Sequence, residues 1–180
     1  MDFKIVFHQM RNKKMNITIA RIRDNAKIPF KKHVNDAGYD LYWAPSDKLM
    51  YSAFLELNGK TYNNATTLHP HTSKRFETGL RVNFPHGFAM KIENRSGIAS
   101  KKDLLIGACI IDSTYAGEVI IDLHNVSDEI QVIEEGERIA QFVVYPIEHC
   151  VFEEVTVAEY EKETSQSTRG TGGFGSTGGK

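Results

Sequence analysis

The sequence predicts an all-β barrel or sandwich that forms a single domain. Short apolar or alternating runs recur along its 180 residues, and Gly79, Gly107, Gly117 and Gly136 are among the turn residues that separate them at strand-like spacing. A hydrophobic content of 41% is enough for one core of ordinary size.

Each predicted strand is a run that ends at a turn signal. These runs are 17–22, 74–84, 88–93, 109–111, 118–125, 130–133 and 138–147. Residues 96–102 are small or polar, so a short helix is predicted there. The segment 47–68 is polar and aromatic and contains Asn58-Gly59, which is typical of a hairpin turn, so it is interpreted as an insert.

The outer segments complete the predicted organisation. An N-terminal extension covers residues 1–14, and the β domain covers 15–160. The apolar rhythm fades from about residue 155, and 161–180 is interpreted as a linker followed by a C-terminal arm. The basic residues that crowd the first thirty or so positions are interpreted as a solvated face.

Charge and cysteine content narrow the possible partners and compartments. A net charge of −1 does not indicate general attraction to nucleic acid or to an anionic membrane, and no apolar stretch reaches the roughly 20 residues of a membrane span. Cys109 and Cys150 lie in apolar surroundings, as expected of buried thiols in a reducing compartment. A soluble, cytoplasmic protein is expected.

The stretch "IIDSTYAGEVIIDLHN" is predicted to be a β-hairpin over 110–125, with Asp112 and Tyr115 near its mouth. A carboxylate in that position could accept a proton from water. Asp112 could instead cap the turn, and Tyr115 could simply pack on the hairpin.

Other polar residues offer weaker signals. Arg95 and Ser96 could donate to an oxyanion beside Gly97, although Ser96 could also be a helix N-cap. Arg138 and Gln141 are three apart in an extended run, so alternation predicts that they lie on opposite faces. Asp40 follows a glycine turn and could be a buried ion-pair partner for an arginine.

The C-terminal stretch "STRGTGGFGSTGGK" is either a frayed tail or a mobile arm whose backbone N–H groups bind phosphate. Arg169 and Phe174 favour the arm, because a pure linker would not contain them. It is not a P-loop, because Gly179-Lys180 ends the chain without a following Ser or Thr.

Five motifs occur together in a recognisable order: "AGYDL", "NRSGIA", "IIDSTYAGE", "GERIAQFV" and "STRGTGGFGSTG". In order and approximate spacing they resemble the motifs of the trimeric deoxyuridine triphosphatases (dUTPases), from about residue 15 to 178. The resemblance implies a jelly-roll-like β fold and a homotrimer with shared active sites, in which a neighbouring subunit lends the arm. It also implies hydrolysis of dUTP to dUMP and pyrophosphate, with Mg²⁺ held mainly by the triphosphate and waters.

The resemblance further implies a role for each motif residue. Asp112 would activate the attacking water, Tyr115 would pack on deoxyribose, and Phe174 would stack on uracil. Asp40 and Arg138 would support the site from behind. The remaining residues would bind substrate, mainly its phosphates: Arg95, Ser96, Gly97, Gln141, Arg169, Gly175, Ser176 and Thr177.

Several positions depart from the family pattern, and two other functions remain open. Asn94, Thr114 and Ala116 differ from the usual residues, and Cys109 replaces a usual glycine and could narrow the uracil pocket. A related dCTP deaminase would need a glutamate on the returning strand, which here reads "VIIDLHN" with Asp122 and no glutamate. A dual-role interaction protein could bind a partner through the insert 47–68.

Overall fold

The computed structural model describes residues 15–47, 52–168 and 170. The predicted N-terminal extension, 1–14, and the arm residues Arg169, Phe174, Gly175, Ser176 and Thr177 lie outside the described residues. The chain divides into two compact units, Met1–Ile147 and Glu148–Lys180.

The described residues are mainly β-strand. The strands and helices, in chain order, are β1 Thr18–Arg21, β2 Tyr39–Tyr42, β3 Ser52–Leu57, β4 Lys60–Leu68, β5 Ser73–Asn83, β6 Phe88–Glu93, α1 Ser96–Lys102, β7 Leu104–Ile106, β8 Ile110–Asp112, β9 Glu118–Asn125, β10 Gln131–Glu134, β11 Arg138–Pro146 and α2 Val157–Glu163. No helix in the described part of the chain is long and apolar enough to cross a membrane.

The strands form antiparallel sheets, as the alternating runs predict. Two sheets have four strands, in the orders β1-β5-β9-β7 and β2-β11-β6-β8, and a third has the order β10-β4-β3. Alternate residues of β9, Val119, Ile121 and Leu123, are fully buried. They share one hydrophobic cluster with Leu41 and Ile92 of the other four-stranded sheet. The predicted all-β, jelly-roll-like fold class is confirmed.

The predicted hairpin over 110–125 is wrong. Its first strand, β8, pairs with β6, whereas its second strand, β9, pairs with β5 and β7 in a different sheet. A hairpin and a corner between two sheets have the same local sequence pattern, which is two apolar runs joined by a short polar turn. Long-range pairing with β5 and β6 decides between the two.

The segment 47–68, interpreted as an insert, contains strands β3 and β4. Strands β3 and β4 form a hairpin around Asn58 and Gly59, both at positive φ, so the predicted turn is confirmed. The last four residues of β4, from Ala65 to Leu68, pair with β10, and both of these end residues are buried. The last four residues of the predicted range therefore belong to the sheet with β10. Changes in length are confined to the part before residue 65.

The second unit contains a helix that the sequence pattern did not predict. Helix α2 begins after Thr156, whose hydroxyl accepts a bond from the Glu159 backbone while the Glu159 carboxylate accepts one from the Thr156 N–H at 2.8 Å. The Thr156 hydroxyl also donates to the Glu159 carboxylate at 2.6 Å, and this bond, together with the one from the Thr156 N–H, lowers the pKa of Glu159. The expectation of buried thiols is also wrong, because Cys150 is exposed and Cys109 is only half-buried.

Gly79 permits a close approach between β5 and the β1–β2 connection. Its φ is +70°, and a Cβ built there would lie 2.6 Å from the Cβ of buried Ala26. Gly59 has a similar φ of +72° and no atom within 4 Å of a built Cβ. Comparing a substitution at Gly59 with one at Gly79 therefore separates the cost of backbone strain from the cost of steric overlap.

We expect Gly59→Ala to reduce the free energy of unfolding by about 1 kcal/mol, the cost of placing a Cβ in the left-handed region. Gly79→Ala should cost about 2–4 kcal/mol, because overpacking is added to the same backbone cost. Urea unfolding of both variants measures the difference. Equal losses would show that the contact with Ala26 relaxes freely.

Candidate active site

Asp112 and Tyr115 line one cavity of about 200 Å³ in the β8–β9 region. The cavity wall is otherwise mostly apolar, and its full lining is Ile92, Ala108, Ile110, Ile111, Asp112, Tyr115, Glu118 and Ile120. Cys109 is not among these residues; its carbonyl accepts a bond from the Ile92 N–H at 2.7 Å. Cys109 could have narrowed the pocket, but it does not form part of the wall of this cavity.

The turn after β8 holds Tyr115 against the strand that follows. The Tyr115 N–H donates to the Asp112 carbonyl at 3.0 Å, and the Tyr115 hydroxyl donates to the Glu118 carbonyl at 3.0 Å. A Cβ built on Gly117 would overlap the Tyr115 ring and hydroxyl. Glycine at 117 is therefore required for the ring to fold back over the turn.

The two carboxylates of this cavity have different surroundings. The Arg23 guanidinium donates to both oxygens of Glu118, with Nη1 at 3.1 Å from Oε2, and the Gly79 N–H donates to Oε1 at 2.7 Å. The exposed carboxylate of Asp112 makes no ion pair or hydrogen bond within the described part of the chain. Since the Asp112 backbone, not its side chain, closes the turn, the turn-capping alternative is not supported.

A second cleft, of about 360 Å³, contains the other predicted site residues that the structure describes, except Gly97. Its lining combines the β1–β2 connection with the starts of α1 and β11: Lys31, Lys32, His33, Asp36, Ala37, Gly38, Asp40, Arg95, Ser96, Arg138 and Gln141. We call this the basic cleft. Gly97 follows Ser96 in α1, and a Cβ built on it would meet nothing within 4 Å.

Asp40 is the ionic centre of the basic cleft. Its Oδ1 accepts from Arg95 Nε at 2.6 Å and its Oδ2 accepts from Arg138 Nη1 at 3.3 Å, while Arg95 Nη1 donates to the Arg138 carbonyl at 3.1 Å. The expected ion pair of Asp40 with an arginine is confirmed. Arg95 is also the N-cap position of α1, without a side-chain cap bond, so the N-cap alternative for Ser96 is wrong.

Arg138 and Gln141 line the same cleft, so the prediction of opposite faces is wrong. The pairing of β11 with β2 joins Arg138 to Tyr42 but Ala140 to Leu41, which leaves Ile139 as an extra residue. This bulge buries both Ile139 and Ala140 and reverses the alternation that follows. The Gln141 amide then donates to the Asn94 carbonyl at 2.8 Å, and Gly38 packs so closely that a Cβ there would overlap it.

Strand β6 separates the two groups of predicted residues. Asp112 pairs with Ala89 near the start of β6, whereas Arg95 lies six residues farther along the chain, beyond the end of the strand. At about 3.3 Å per residue, this corresponds to roughly 20 Å. One chain therefore carries Asp112 and Tyr115 at one end of β6 and Arg95, Ser96 and Gln141 at the other.

Several residues of both clefts were not predicted from the sequence. Lys31, Lys32 and His33 belong to a basic run that was interpreted as a solvated face, yet they line the basic cleft. The pairing of Arg23 with Glu118 spans 95 positions, so no local pattern could indicate it. Asp122 lies near His124, at 3.2 Å between Oδ2 and Nε2, and is not part of the Asp112 cavity.

Comparison with known proteins identifies the family. The dUTPase family model matches residues 45–178. The deoxyuridine 5'-triphosphate nucleotidohydrolase of Picosynechococcus sp. is 32% identical over 166 residues, which cover 91% of this chain and 99% of that protein. The chain therefore belongs to the dUTPase family, whose members are dUTP diphosphatases, hydrolases of nucleotide metabolism.

Solved structures of phage dUTPases have the same fold. The Staphylococcus bacteriophage 80alpha dUTPase with dUpNHpp matches with a TM-score of 0.71 and 27% identity over 91% of this chain and 98% of that chain; it is described as a phage dUTPase that controls transfer of virulence genes. A mutant dUTPase from phage phi11 of S. aureus, whose structure concerns a structural Mg(II) ion, matches with a TM-score of 0.61 and 25% identity over 78% of this chain and 96% of that chain.

The Arg23–Glu118 pair can be tested by a double-mutant cycle. Side chains of both residues are less than one-fifth exposed, so we expect Arg23→Met to cost about 2 kcal/mol of unfolding free energy by leaving Glu118 unpaired. Adding Glu118→Gln should recover part of that loss. Urea unfolding of the single and double variants gives the coupling energy.

The exposed pair Lys91–Glu93 provides a matched control. Its side chains are about two-fifths exposed, and the carboxylate of Glu93 raises the pKa of Lys91. The cycle Lys91→Met with Glu93→Gln should give a smaller coupling energy than the Arg23–Glu118 cycle, because solvent screens an exposed pair. A coupling at Arg23–Glu118 no larger than this would contradict a structural role for that pair.

Proposed function

We propose that the chain hydrolyses dUTP to dUMP and pyrophosphate, limiting uracil in DNA and supplying dUMP. The observation that carries the proposal is the contrast between the two carboxylates of the Asp112 cavity. Glu118 is held by Arg23 and a backbone N–H, whereas Asp112 makes no such bond with any described residue. A free carboxylate beside a small cavity is suited to accept a proton from water.

In the proposed reaction, water attacks the α-phosphorus and Asp112 takes the proton that the water loses. The new bond joins the water oxygen to the α-phosphorus, and the bond from that phosphorus to the oxygen bridging to the β-phosphate breaks. Pyrophosphate leaves with the electron pair. Tyr115, held over the turn by its bond to the Glu118 carbonyl, would pack on the deoxyribose.

Phosphoryl transfer depends mainly on positioning and on neutralising charge. We propose that Arg95, Ser96, Gly97 and Gln141 donate to the phosphates, with Asp40 and Arg138 fixing Arg95. From the arm, Arg169, Gly175, Ser176 and Thr177 would bind the distal phosphates and Phe174 would stack on uracil; this part of the proposal rests on the family motif.

A complete site needs more than one copy of the chain under this proposal. A general base and phosphate donors must each lie within about 3 Å of the atoms that they contact. Roughly 20 Å of extended chain separates the residue paired with Asp112 from Arg95, so we propose that the two groups of one chain serve different nucleotides. The subunit number rests on the motif resemblance, and we propose a homotrimer in which the Asp112 cavity of one subunit faces the basic cleft of another.

Mg²⁺ fits this proposal as an ion that arrives with the nucleotide. Within the described part of the chain, no group of three or more His, Cys, Asp or Glu side chains could hold a metal ion. Nucleotide-bound Mg²⁺ is typically held by phosphate oxygens and waters, so the triphosphate can carry the ion without a protein metal motif. The bound ion would neutralise charge on the triphosphate. We also propose a cytoplasmic location, or the host cytoplasm or nucleus for a viral chain.

We expect Asp112→Asn to abolish dUTP turnover, because the amide keeps the shape of the carboxylate but cannot take a proton; loss of a general base costs roughly 10²–10⁴ in rate. Affinity for dUpNHpp should stay within about tenfold. Pyrophosphate release and calorimetry measure these two quantities. Retained turnover with dUTP would overturn the role of Asp112, and ammonia release from dCTP would favour the deaminase alternative.

A second role as an interaction protein is favoured by the β3–β4 hairpin. Strand β3 is an edge strand, and Phe54 on it is 75% exposed, as is common at protein-binding surfaces. We propose that this hairpin, the projecting part of the predicted insert 47–68, binds a protein partner and takes no part in hydrolysis.

Residues 55–62 can be removed without touching the buried end of β4. Phe54 pairs with Asn63, so an Asn-Gly turn between them would recreate a two-residue hairpin loop. We expect this variant to keep kcat and KM for dUTP within about twofold, because surface loops change length at modest entropic cost. Loss of turnover in a folded trimer would place the hairpin in the active site.

A further inference from the structure

The side chains that line the basic cleft carry a net positive charge. Its lining includes the cations Lys31, Lys32, Arg95 and Arg138 and the anions Asp36 and Asp40, which leaves a surplus of two positive charges. Clefts of one charge sign focus the field and concentrate oppositely charged ligands. The two arginines share Asp40 and leave one of these charges, and the two lysines with Asp36 leave the other.

The two lysines differ in their own contacts. Lys31 Nζ donates to the Asp36 carbonyl at 3.1 Å and lies 4.9 Å from the centroid of the Tyr39 ring. Lys32 is exposed and makes neither a hydrogen bond nor an ion pair with any described residue. Lys32 is therefore a cation at the cleft that no described residue neutralises.

The loop that carries Lys32 is tied down at both ends. The His33 N–H donates to Asp36 Oδ2 at 2.9 Å, and the Asp36 N–H donates to the His33 carbonyl at 3.0 Å, which closes a tight turn. The Asp40 N–H donates to the Phe30 carbonyl at 2.8 Å, so the loop base is joined to the residue that pairs with Arg95 and Arg138. The position of Lys32 is thus set relative to the arginines.

We infer that Lys32 is a further substrate-binding residue, which contacts the β- or γ-phosphate of the nucleotide and makes the basic cleft favour a triphosphate over a monophosphate. This inference rests on the proposed function. An ammonium group that is not neutralised by the protein can form charge-assisted hydrogen bonds to phosphate without first breaking an internal pair. Lys31 would contribute mainly by holding the turn.

The test compares Lys32→Gln with Lys60→Gln in the full-length protein. Both changes remove one positive charge, but Lys60 lies at the Asn58-Gly59 turn and outside the cleft lining. We expect Lys32→Gln to weaken dUpNHpp binding about fivefold or more and to leave dUMP binding within twofold. The salt dependence of dUpNHpp binding should also become shallower, and Lys32→Arg should restore most of the affinity.

The outcomes separate this inference from the proposed function. If the unchanged protein binds dUpNHpp but does not hydrolyse dUTP, the proposed function fails and the comparison of variants still decides the role of Lys32. Equal behaviour of Lys32→Gln and Lys60→Gln would overturn the inference. So would an equal loss of dUMP and dUpNHpp affinity, because that would exclude a contact specific to the distal phosphates.

Discussion

The ion pairs of Asp40 with Arg95 and Arg138 join the parts of the chain on which the basic cleft depends. They connect β2, the segment after β6 and the start of β11, and the Asp40 side chain is only 14% exposed. A carboxylate at such a site requires charged partners, because leaving it unpaired would be costly. The same residue bonds through its backbone to Phe30, so the lysine-bearing loop is positioned by the residue that fixes the arginines.

Strand β6 imposes the second constraint, which is one of length. Asp112 pairs with Ala89 near its start and Gln141 pairs with Glu93 at its end, so these two residues lie toward opposite ends of one strand. A strand cannot shorten without breaking its ladder of hydrogen bonds. This separation is the physical reason that our proposal places the two clefts of different subunits around one nucleotide.

Local sequence patterns predicted the elements better than their connections. The predicted bounds 88–93, 118–125 and 96–102 match β6, β9 and α1, because alternation and small-residue content are properties of each segment alone. The β8–β9 hairpin and the opposite faces of Arg138 and Gln141 were wrong, because sheet exchange and the bulge at Ile139 depend on distant partners. The roles of the site residues were inferred from the motif resemblance. The pairing of Arg23 with Glu118 was indicated neither by a local pattern nor by the resemblance.

The Arg23–Glu118 pair explains how one cavity can contain two carboxylates and yet offer a single base. If Glu118 were free, its charge would oppose an incoming triphosphate and compete with Asp112 for the proton of the water. The guanidinium of Arg23 and the N–H of Gly79 satisfy Glu118 instead, and the positive φ of Gly79 lets its N–H reach the carboxylate. The Glu118 carbonyl accepts a hydrogen bond from the Tyr115 hydroxyl, so the residue that Arg23 holds in the cavity wall also fixes the turn that presents Asp112.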